Sequence, residues 1–239
     1  MGLFDIFHKS KSILDAGILK GRTDRHSHIL FGVDDGIKTL EDSLAVLAFD
    51  EEVGIKEVWC TPHIMEDVPN GTEMLQTRFE ELCGLYPGPV RLHLAAEYML
   101  DSLFVERFRR RDLLVMEDDM LLVETSCLSE PYDFQGLLAT LMSAGYRPLL
   151  AHPERYIYMK MNEYALLRKM GVLFQLNLPS LTGYYGKEVR SRAEELLTKG
   201  MYFAYGSDCH SVGTLRHQYG DALLSRDVLR RVAVIGCDI

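Results

Sequence analysis

The chain has 239 residues, of which 47% are hydrophobic and 26% are charged, and its formal net charge is −9 at pH 7. This length suits one large domain, and the negative charge argues against a general affinity for nucleic acid phosphates. The five cysteines are scattered without a Cys-x-x-Cys pair, which is typical of reduced thiols in the cytosol. No apolar run reaches membrane-spanning length, so we expect a cytoplasmic protein without stable membrane insertion.

The first 22 residues are predicted to form an N-terminal helical extension, ahead of a single domain over residues 23–239. Within the extension, residues 3–19 place Phe4, Phe7, Leu14 and Ile18 among lysines, which is a loose amphipathic pattern. We expect a helix that caps the domain or packs on a partner subunit. In the second case the protein would be an oligomer. Attachment to a membrane surface is the alternative.

From Thr23 onward, short apolar runs alternate with helical patterns. The predicted strands lie near residues 23–29, 55–61, 90–97, 119–126, 147–151, 172–178 and 201–207. The predicted helices lie around residues 39–53, 72–84, 101–111, 133–144, 162–170 and 186–199, with another after Asp221. Such a regular succession of βα units predicts an α/β fold with a parallel sheet, and at this length closure into a barrel is favoured over an open sheet.

The first predicted strand carries two histidines one residue apart. Because alternate residues of a strand share a face, the imidazoles of His26 and His28 can reach one point in space. Asp34 and Asp35 follow in a short glycine-bracketed loop. Nitrogen and oxygen ligands of this kind suit zinc, manganese or iron, although a His-x-His pair alone is weak evidence.

Further polar side chains stand where the later predicted strands end. They are His63 after the second strand, Glu97 at the end of the third, Glu124 late in the fourth, His152 at the end of the fifth, and Asp208 with His210 at the end of the seventh. In an α/β barrel these carboxyl ends share the face on which active sites are built. Any single histidine could be a structural residue, but their coincidence at successive strand ends predicts a metal site.

These segments resemble the polymerase and histidinol phosphatase (PHP) superfamily. The similarity runs from about Thr23 to the C-terminus through Asp24-Arg25-His26-Ser27-His28-Ile29-Leu30, Val33-Asp34-Asp35-Gly36, Thr61-Pro62-His63, Ala96-Glu97-Tyr98, Ala151-His152-Pro153-Glu154-Arg155-Tyr156 and Ser207-Asp208-Cys209-His210. Within the superfamily, the chain is similar to the CpsB/CapC/YwqE type of bacterial protein-tyrosine phosphatases in capsular and extracellular polysaccharide systems. The resemblance implies the PHP fold, a distorted (β/α)7 TIM-like barrel.

The resemblance also implies two to three divalent metal ions, commonly manganese, with iron, zinc or magnesium as alternatives. The residues carried over as ligands are His26, His28, Glu97 and Asp208 for the first metal, Glu97 and His152 for the second, and Asp35, His63 and His210 for the third. Ile64 and Leu128 stand where some members have additional histidines. The second metal is therefore expected to have fewer protein ligands, with Glu124 or water as a substitute.

Arg155 matches an arginine that the family uses near phosphate, and Arg216 matches another only if one residue is inserted after His210. We expect hydroxide bound to the metals to attack phosphorus directly, with no phosphoenzyme intermediate. Either a metal-bound water or His210 could protonate the leaving phenolate. Cys209 is not expected to act as a nucleophile, because its parity in the strand is opposite to that of its neighbours Asp208 and His210.

The resemblance implies a substrate in the phosphotyrosine-rich tail of a membrane-bound bacterial tyrosine kinase that regulates capsule or exopolysaccharide biosynthesis. A small phosphomonoester such as histidinol phosphate, and a non-catalytic kinase-binding module, are the alternatives. The basic run of residues 107–111 fits a solvated helix end or, alternatively, a docking patch for an acidic tail. Tyr156, Tyr158, Tyr184 and Tyr185 could flank the pocket, and residues 179–186 form the loop expected to contact substrate.

Overall fold

A computed structural model describes residues 10–236 of the chain. The strands are β1 (Thr23–Ser27), β2 (Glu57–Cys60), β3 (His63–Ile64), β4 (Arg91–Leu94), β5 (Glu97–Met99), β6 (Met120–Glu124), β7 (Arg147–Ala151), β8 (Leu173–Asn177) and β9 (Ala204–Gly206). Every pairing between these strands is parallel, as the succession of βα units predicts.

Two of the predicted strands are interrupted near their carboxyl ends. The second is divided into β2 and β3 at Thr61 and Pro62, because proline has no backbone N–H for the ladder. The third is divided into β4 and β5. The backbone of Ala95 donates to Cys60 O at 2.9 Å and that of Glu97 donates to Pro62 O at 3.1 Å, so the register continues across both interruptions.

The first and last strands meet and close the barrel. His28 N donates to Cys209 O at 3.1 Å, and Asp208 N donates to His26 O at 2.8 Å. The strand order around the ring is therefore β1, β2 with β3, β4 with β5, and then β6 to β9. This arrangement confirms the predicted distorted (β/α)7 barrel.

Helices surround the barrel. They are α1 (Ile13–Ala16), α2 (Leu40–Val53), α3 (Thr72–Leu85), α4 (Ser102–Arg110), α5 (Phe134–Ser143), α6 (Met161–Met170), α7 (Leu178–Thr182), α8 (Lys187–Thr198), α9 (Val212–Asp221) and α10 (Arg226–Val234). A typical boundary is that of α2, which begins where Thr39 Oγ1 accepts from Asp42 N and ends at Gly54 with φ 81°. None of the helices among the described residues is long and apolar enough to cross a bilayer.

Within residues 10–19, the part of the predicted N-terminal helix that the structure describes, only α1 is helical. Residues 3–9 lie outside the described part of the chain, and the helix α1 ends at Ala16 because Gly17 adopts a left-handed φ of 63°. Ahead of it, Lys11 and Leu224 exchange backbone hydrogen bonds of 3.1 and 2.9 Å. This part of the extension therefore packs against the C-terminal region of the same chain.

Two helices, α7 and α9, lie where none was predicted. The helix α9 contains Gly213 and Gly220, which lower its intrinsic helix propensity and obscure its pattern. The helix predicted after Asp221 is α10, so the end of the chain contains one more helix than the sequence indicated.

The barrel interior changes character along its axis. On β6, Met120 and Leu122 belong to a small cluster of buried apolar side chains from several strands, separate from the large core beneath the helices. Alternate residues of a strand share a face, so Glu124 points the same way at the carboxyl end of β6. The barrel interior is therefore apolar toward the amino ends of the strands and carries acidic side chains at their carboxyl ends.

Candidate metal centre

The first group of converging side chains lies where β1 ends. His26 and His28 are both buried, and their Nε2 atoms are 3.1 Å apart. Glu97 Oε2 lies 3.1 Å from the first of these nitrogens and 3.2 Å from the second. Asp208 Oδ1 lies 3.5 and 3.4 Å from the same two atoms. These four residues thus present two nitrogens and two carboxylate oxygens to one point.

Glu97 links this group to a second one. Its Oε1 atom is 3.0 Å from His152 Nε2, while its Oε2 atom is 3.2 Å from His63 Nδ1. Glu124 Oε1 lies 3.1 Å from His63 Nδ1, and Glu124 Oε2 lies 3.6 Å from His152 Nε2. Glu124 therefore stands on the same side of Glu97 as these two histidines. The sequence indicated Glu124 only as a substitute ligand.

The third group lies at the mouth of the site. Asp35 Oδ1 is 3.6 Å from His63 Nε2 and 3.3 Å from His210 Nε2, and the Asp35 side chain is 70% exposed. His28 also belongs to this group, whose ligand atoms all lie within 4.8 Å of one another. The structure thus brings together every residue that the resemblance implied as a ligand, together with Glu124, which the sequence indicated at a strand end and as a substitute ligand.

The buried atoms of this cluster fit a bound cation. His63 Nδ1, Glu97 Oε2 and Glu124 Oε1 are buried, and although His63 Nδ1 lies 3.2 and 3.1 Å from the two oxygens, none of these atoms has a partner with hydrogen-bond geometry among the described residues. Leaving a buried polar atom unsatisfied is costly, so such atoms call for a partner. Metal–ligand bonds of about 2.0–2.2 Å place neighbouring ligand atoms about 3 Å apart, which matches this cluster. Imidazole nitrogens together with carboxylate oxygens suit manganese, iron or zinc.

The electrostatics of the cluster also favour positive charge. Burial lowers the pKa of His26, but the carboxylates of Glu97 and Asp208 outweigh it and raise that pKa to about 9. Burial raises the pKa of both carboxyl groups, yet the surrounding histidines hold each pKa well below its usual range. A buried environment that stabilises imidazolium is one that stabilises a cation.

Two polar side chains behind the cluster orient its histidines. Gln175 Oε1 accepts from His26 Nδ1 at 3.0 Å, and Asp34 Oδ2 accepts from His28 Nδ1 at 2.8 Å. With a proton on each Nδ1, the lone pair of each Nε2 points into the cluster. The sequence analysis missed Gln175, although a glutamine in the otherwise apolar run Leu173-Phe174-Gln175-Leu176 is a signal that could have found it.

Arg155 lies in a 3₁₀ turn, Pro153–Arg155, directly after β7. Its guanidinium donates to Asp208 Oδ2 at 3.1 Å and lies 4.5 Å from the centroid of the Tyr185 ring. Asn177 Nδ2 donates to the same carboxylate oxygen at 2.7 Å. These contacts hold Arg155 at the wall of a cavity of about 410 Å³ above the cluster.

The cavity is lined on one side by Pro179, Tyr184 and Tyr185. Residues 179–186, predicted as a substrate loop, lie in the helix α7 and the turn after it, and these three are the members of the segment that line the cavity. Tyr156 is fully buried and donates to Ala151 O, so it belongs to the core and not to the rim.

Arg216 and the basic run of residues 107–111 do not line the cavity. Arg216 donates to Glu52 at 2.7 Å and does not line the cavity, so the structure gives it no place beside Arg155. Arg109 and Arg111 lie near Asp119, which precedes β6 at the amino end of the barrel. This end is opposite the cluster, which favours the interpretation of the run as a solvated helix end.

Comparison with known proteins gave consistent matches. The family described as capsular polysaccharide synthesis, CpsB/CapC, matches residues 22–223. A putative tyrosine-protein phosphatase CapC of Staphylococcus aureus is 26% identical over 79% of this chain and 77% of its own length. The tyrosine-protein phosphatase CpsB of Streptococcus pneumoniae is 29% identical over 79% of this chain and 83% of its own. The tyrosine-protein phosphatase YwqE of Bacillus subtilis is 26% identical over 84% of this chain and 82% of its own length.

Among solved structures, one similar chain comes from crystal structures of YwqE from Bacillus subtilis and CpsB from Streptococcus pneumoniae, described as metal-dependent tyrosine phosphatases. It matches with a TM-score of 0.75 at 24% identity, over 88% of this chain and 84% of the other. At this identity the likeness shows a shared fold.

Removing the acceptor behind His26 should weaken metal binding. In Gln175→Leu, neither His26 Nδ1 nor His152 N retains its acceptor, and we expect metal affinity to fall by roughly 10-fold to 100-fold. Metal content after dialysis against a graded chelator series measures this. Gln175→Glu keeps the acceptor oxygen and should bind more metal than Gln175→Leu. Equal metal retention in both variants and the parent protein would contradict the orienting role.

Proposed function

The chain belongs to the capsular polysaccharide synthesis CpsB/CapC family, and on this premise we propose that it is a metal-dependent protein-tyrosine phosphatase. The observation that carries the proposal is the convergence of the histidine and carboxylate side chains on the floor of a cavity whose wall holds Arg155. The relatives named tyrosine-protein phosphatases support phosphotyrosine as the substrate. Residues 23–239 form the phosphatase domain in this proposal, and residues 1–22 form an extension.

Two or three divalent ions, with manganese favoured, complete the site in this proposal. The ligands proposed for them are His26, His28, Glu97 and Asp208 for the first ion; Glu97, Glu124 and His152 for the second; and His63, Asp35 and His210 for the third. Glu124 supplies the second position in place of an additional histidine, since Leu128 is 73% exposed and Ile64 is buried in the core.

When bound, such ions lower the pKa of water and neutralise charge on phosphoryl oxygens. Arg155, at the cavity wall, also neutralises charge on phosphoryl oxygens. One guanidinium nitrogen is held by Asp208, and the rest of this always-charged group is available to phosphoryl oxygens. The Tyr185 ring beneath it restricts its orientation, so that less freedom is lost when substrate binds.

The part of the cavity wall beside Arg155 suits an aromatic leaving group. Tyr184 is 58% exposed and meets Tyr185 edge-to-face, with ring centroids 4.9 Å apart. Together with Pro179 these rings offer an apolar surface on which a phenyl ring can pack. This wall favours phosphotyrosine over a small aliphatic phosphate ester, which is the alternative substrate class.

For the cellular role, we propose the phosphotyrosine-rich tail of a membrane-bound kinase as substrate, with the phosphatase acting in the cytoplasm. The family description, which concerns capsular polysaccharide synthesis, supports this setting. The non-catalytic binding module has less support, because every group of converging ligands is present in the described residues.

The direct test is metal content by mass spectrometry together with phosphate release from a phosphotyrosyl peptide. We expect two or three metal ions per chain, release that chelation abolishes and manganese restores, and slower release from aliphatic phosphomonoesters. No release at any manganese concentration from a folded, metal-loaded protein would overturn the phosphatase proposal and favour the binding module.

Arg155→Ala should lower kcat/KM by about 100-fold, because a preorganised charged donor at the phosphoryl group is lost. Steady-state kinetics with the phosphotyrosyl peptide measure this, with metal content checked in parallel because Arg155 also contacts Asp208. Arg216→Ala should stay within about twofold of the parent protein, since its guanidinium pairs with Glu52 outside the cavity. The opposite ranking of the two variants would contradict this assignment.

Cys209→Ser should keep most of the activity. The thiol is 2% exposed, and burial raises its pKa far above the neutral range, so it stays protonated and is a poor nucleophile. Phosphate release by this variant is expected within about threefold of the parent protein, an allowance for the changed packing of a buried side chain. A loss of several orders of magnitude with the metals retained would instead show that the thiol takes part in the reaction.

A further inference from the structure

One face of the helix α9 lines the same cavity as Arg155. The residues of this face, called the α9 face below, are Ser211, Thr214, Leu215 and Gln218. Their spacing of three, four and seven residues places them on one side of an α-helix. Arg216 and His217 lie on the other side, where they pair with Glu52 and Asp221.

The helix begins at the cavity. Ser211 is its N-cap, and the Ser211 hydroxyl accepts from Thr214 N at 3.5 Å. The first backbone N–H groups of a helix have no acceptor within the helix, and the helix dipole places partial positive charge there. An anion in the cavity would therefore meet a favourable potential at this end.

Gln218 is a second and independent sign of a ligand. Its side chain lines the cavity although only 7% of the residue is exposed, and its carboxamide forms no hydrogen bond within residues 10–236. Helical side chains point back toward the N-terminus, so this carboxamide is directed at the turn that carries Thr214. The carboxamide atoms of Gln218 are not among the buried unpaired atoms of the described residues, so they are open to the cavity, where a bound molecule can take up their hydrogen bonds.

The donors of the α9 face carry no formal charge. It offers the Thr214 hydroxyl, near the start of the helix, and the Gln218 amide, and it contains no carboxylate of its own. His210, one of the proposed metal ligands, directly precedes Ser211, so the start of α9 adjoins the third ligand group. A phosphoryl group above the cluster would thus lie between Arg155 and the α9 face.

We propose that the α9 face is an oxyanion subsite, in which the Thr214 hydroxyl and the Gln218 amide bind phosphoryl oxygens of the substrate at the positive end of the helix dipole. The identity of that substrate rests on the proposed phosphatase function. In this chain, neutral donors thereby supply the second set of phosphate contacts, which the resemblance had implied for Arg216. Arg155 remains the charged contact in the same cavity.

The test measures the dissociation constant of inorganic phosphate on the manganese-loaded full-length protein by titration calorimetry. Gln218→Leu removes the donor at similar size and should weaken phosphate binding about tenfold, the effect of one hydrogen bond to a charged group. Gln218→Glu places a carboxylate in the same position and should weaken binding further. Thr214→Val is a second variant, with an expected loss of several-fold.

His217→Ala is the matched control from the other side of the same helix, and it should leave the phosphate dissociation constant within twofold. Metal content and melting temperature are compared for all variants, so that loss of metal or of fold is not counted as loss of phosphate binding. If Gln218 proved necessary for folding, Thr214→Val would carry the test alone.

Unchanged phosphate affinity in Gln218→Leu and Gln218→Glu with full metal content would overturn the subsite. A raised KM for the phosphotyrosyl peptide with unchanged phosphate affinity would also overturn it, because the α9 face would then contact the peptide. If phosphate binding weakens as expected but the parent protein hydrolyses no phosphotyrosyl peptide, the oxyanion subsite stands and the phosphatase proposal fails.

Discussion

The buried carboxylate of Glu97 is the constraint on which the site depends. Its two oxygens lie 3.0–3.2 Å from imidazole nitrogens of four histidines, His26, His28, His63 and His152. A carboxylate removed from water is tolerated only when positive charge or hydrogen bonds surround it. The buried Glu97 carboxylate is therefore stable only if histidines from three other strands surround it. A closed parallel barrel makes this possible, because the carboxyl ends of all its strands lie at the same face.

The backbone bends sharply where these strands end. His152 has a φ of 33° and Asp208 a φ of 50°, both in the left-handed region that residues with a side chain rarely occupy. Each such residue costs on the order of 1–3 kcal/mol and persists only where the surroundings impose it. Here Gln175 accepts from His152 N, and His26 O accepts from Asp208 N. The barrel closure thus holds both side chains in the cluster.

The two parts of the cavity wall offer different kinds of contact to a phosphoryl group. On the first wall, Arg155 supplies a full charge, and Asp208 and Tyr185 hold it in place. On the second wall, the α9 face offers neutral donors, which bind an oxyanion without adding repulsion against nearby metal ions. The aromatic rings of Tyr184 and Tyr185 complete the first wall. Phosphate is thereby contacted from both parts of the wall, while the phenyl ring packs beside Arg155 on the first.

The sequence by itself determined the barrel and most of the cluster. The parity of a strand is a local property, so the positions of His26, Glu97 and Asp208 at strand ends could be predicted. Only the tertiary structure decided the direction of Arg216 and Gln218, because the side of a helix that faces a cavity depends on where the helix begins and what it packs against. The same limit applies to Gln175, whose role exists only through its contact with a histidine 149 residues away.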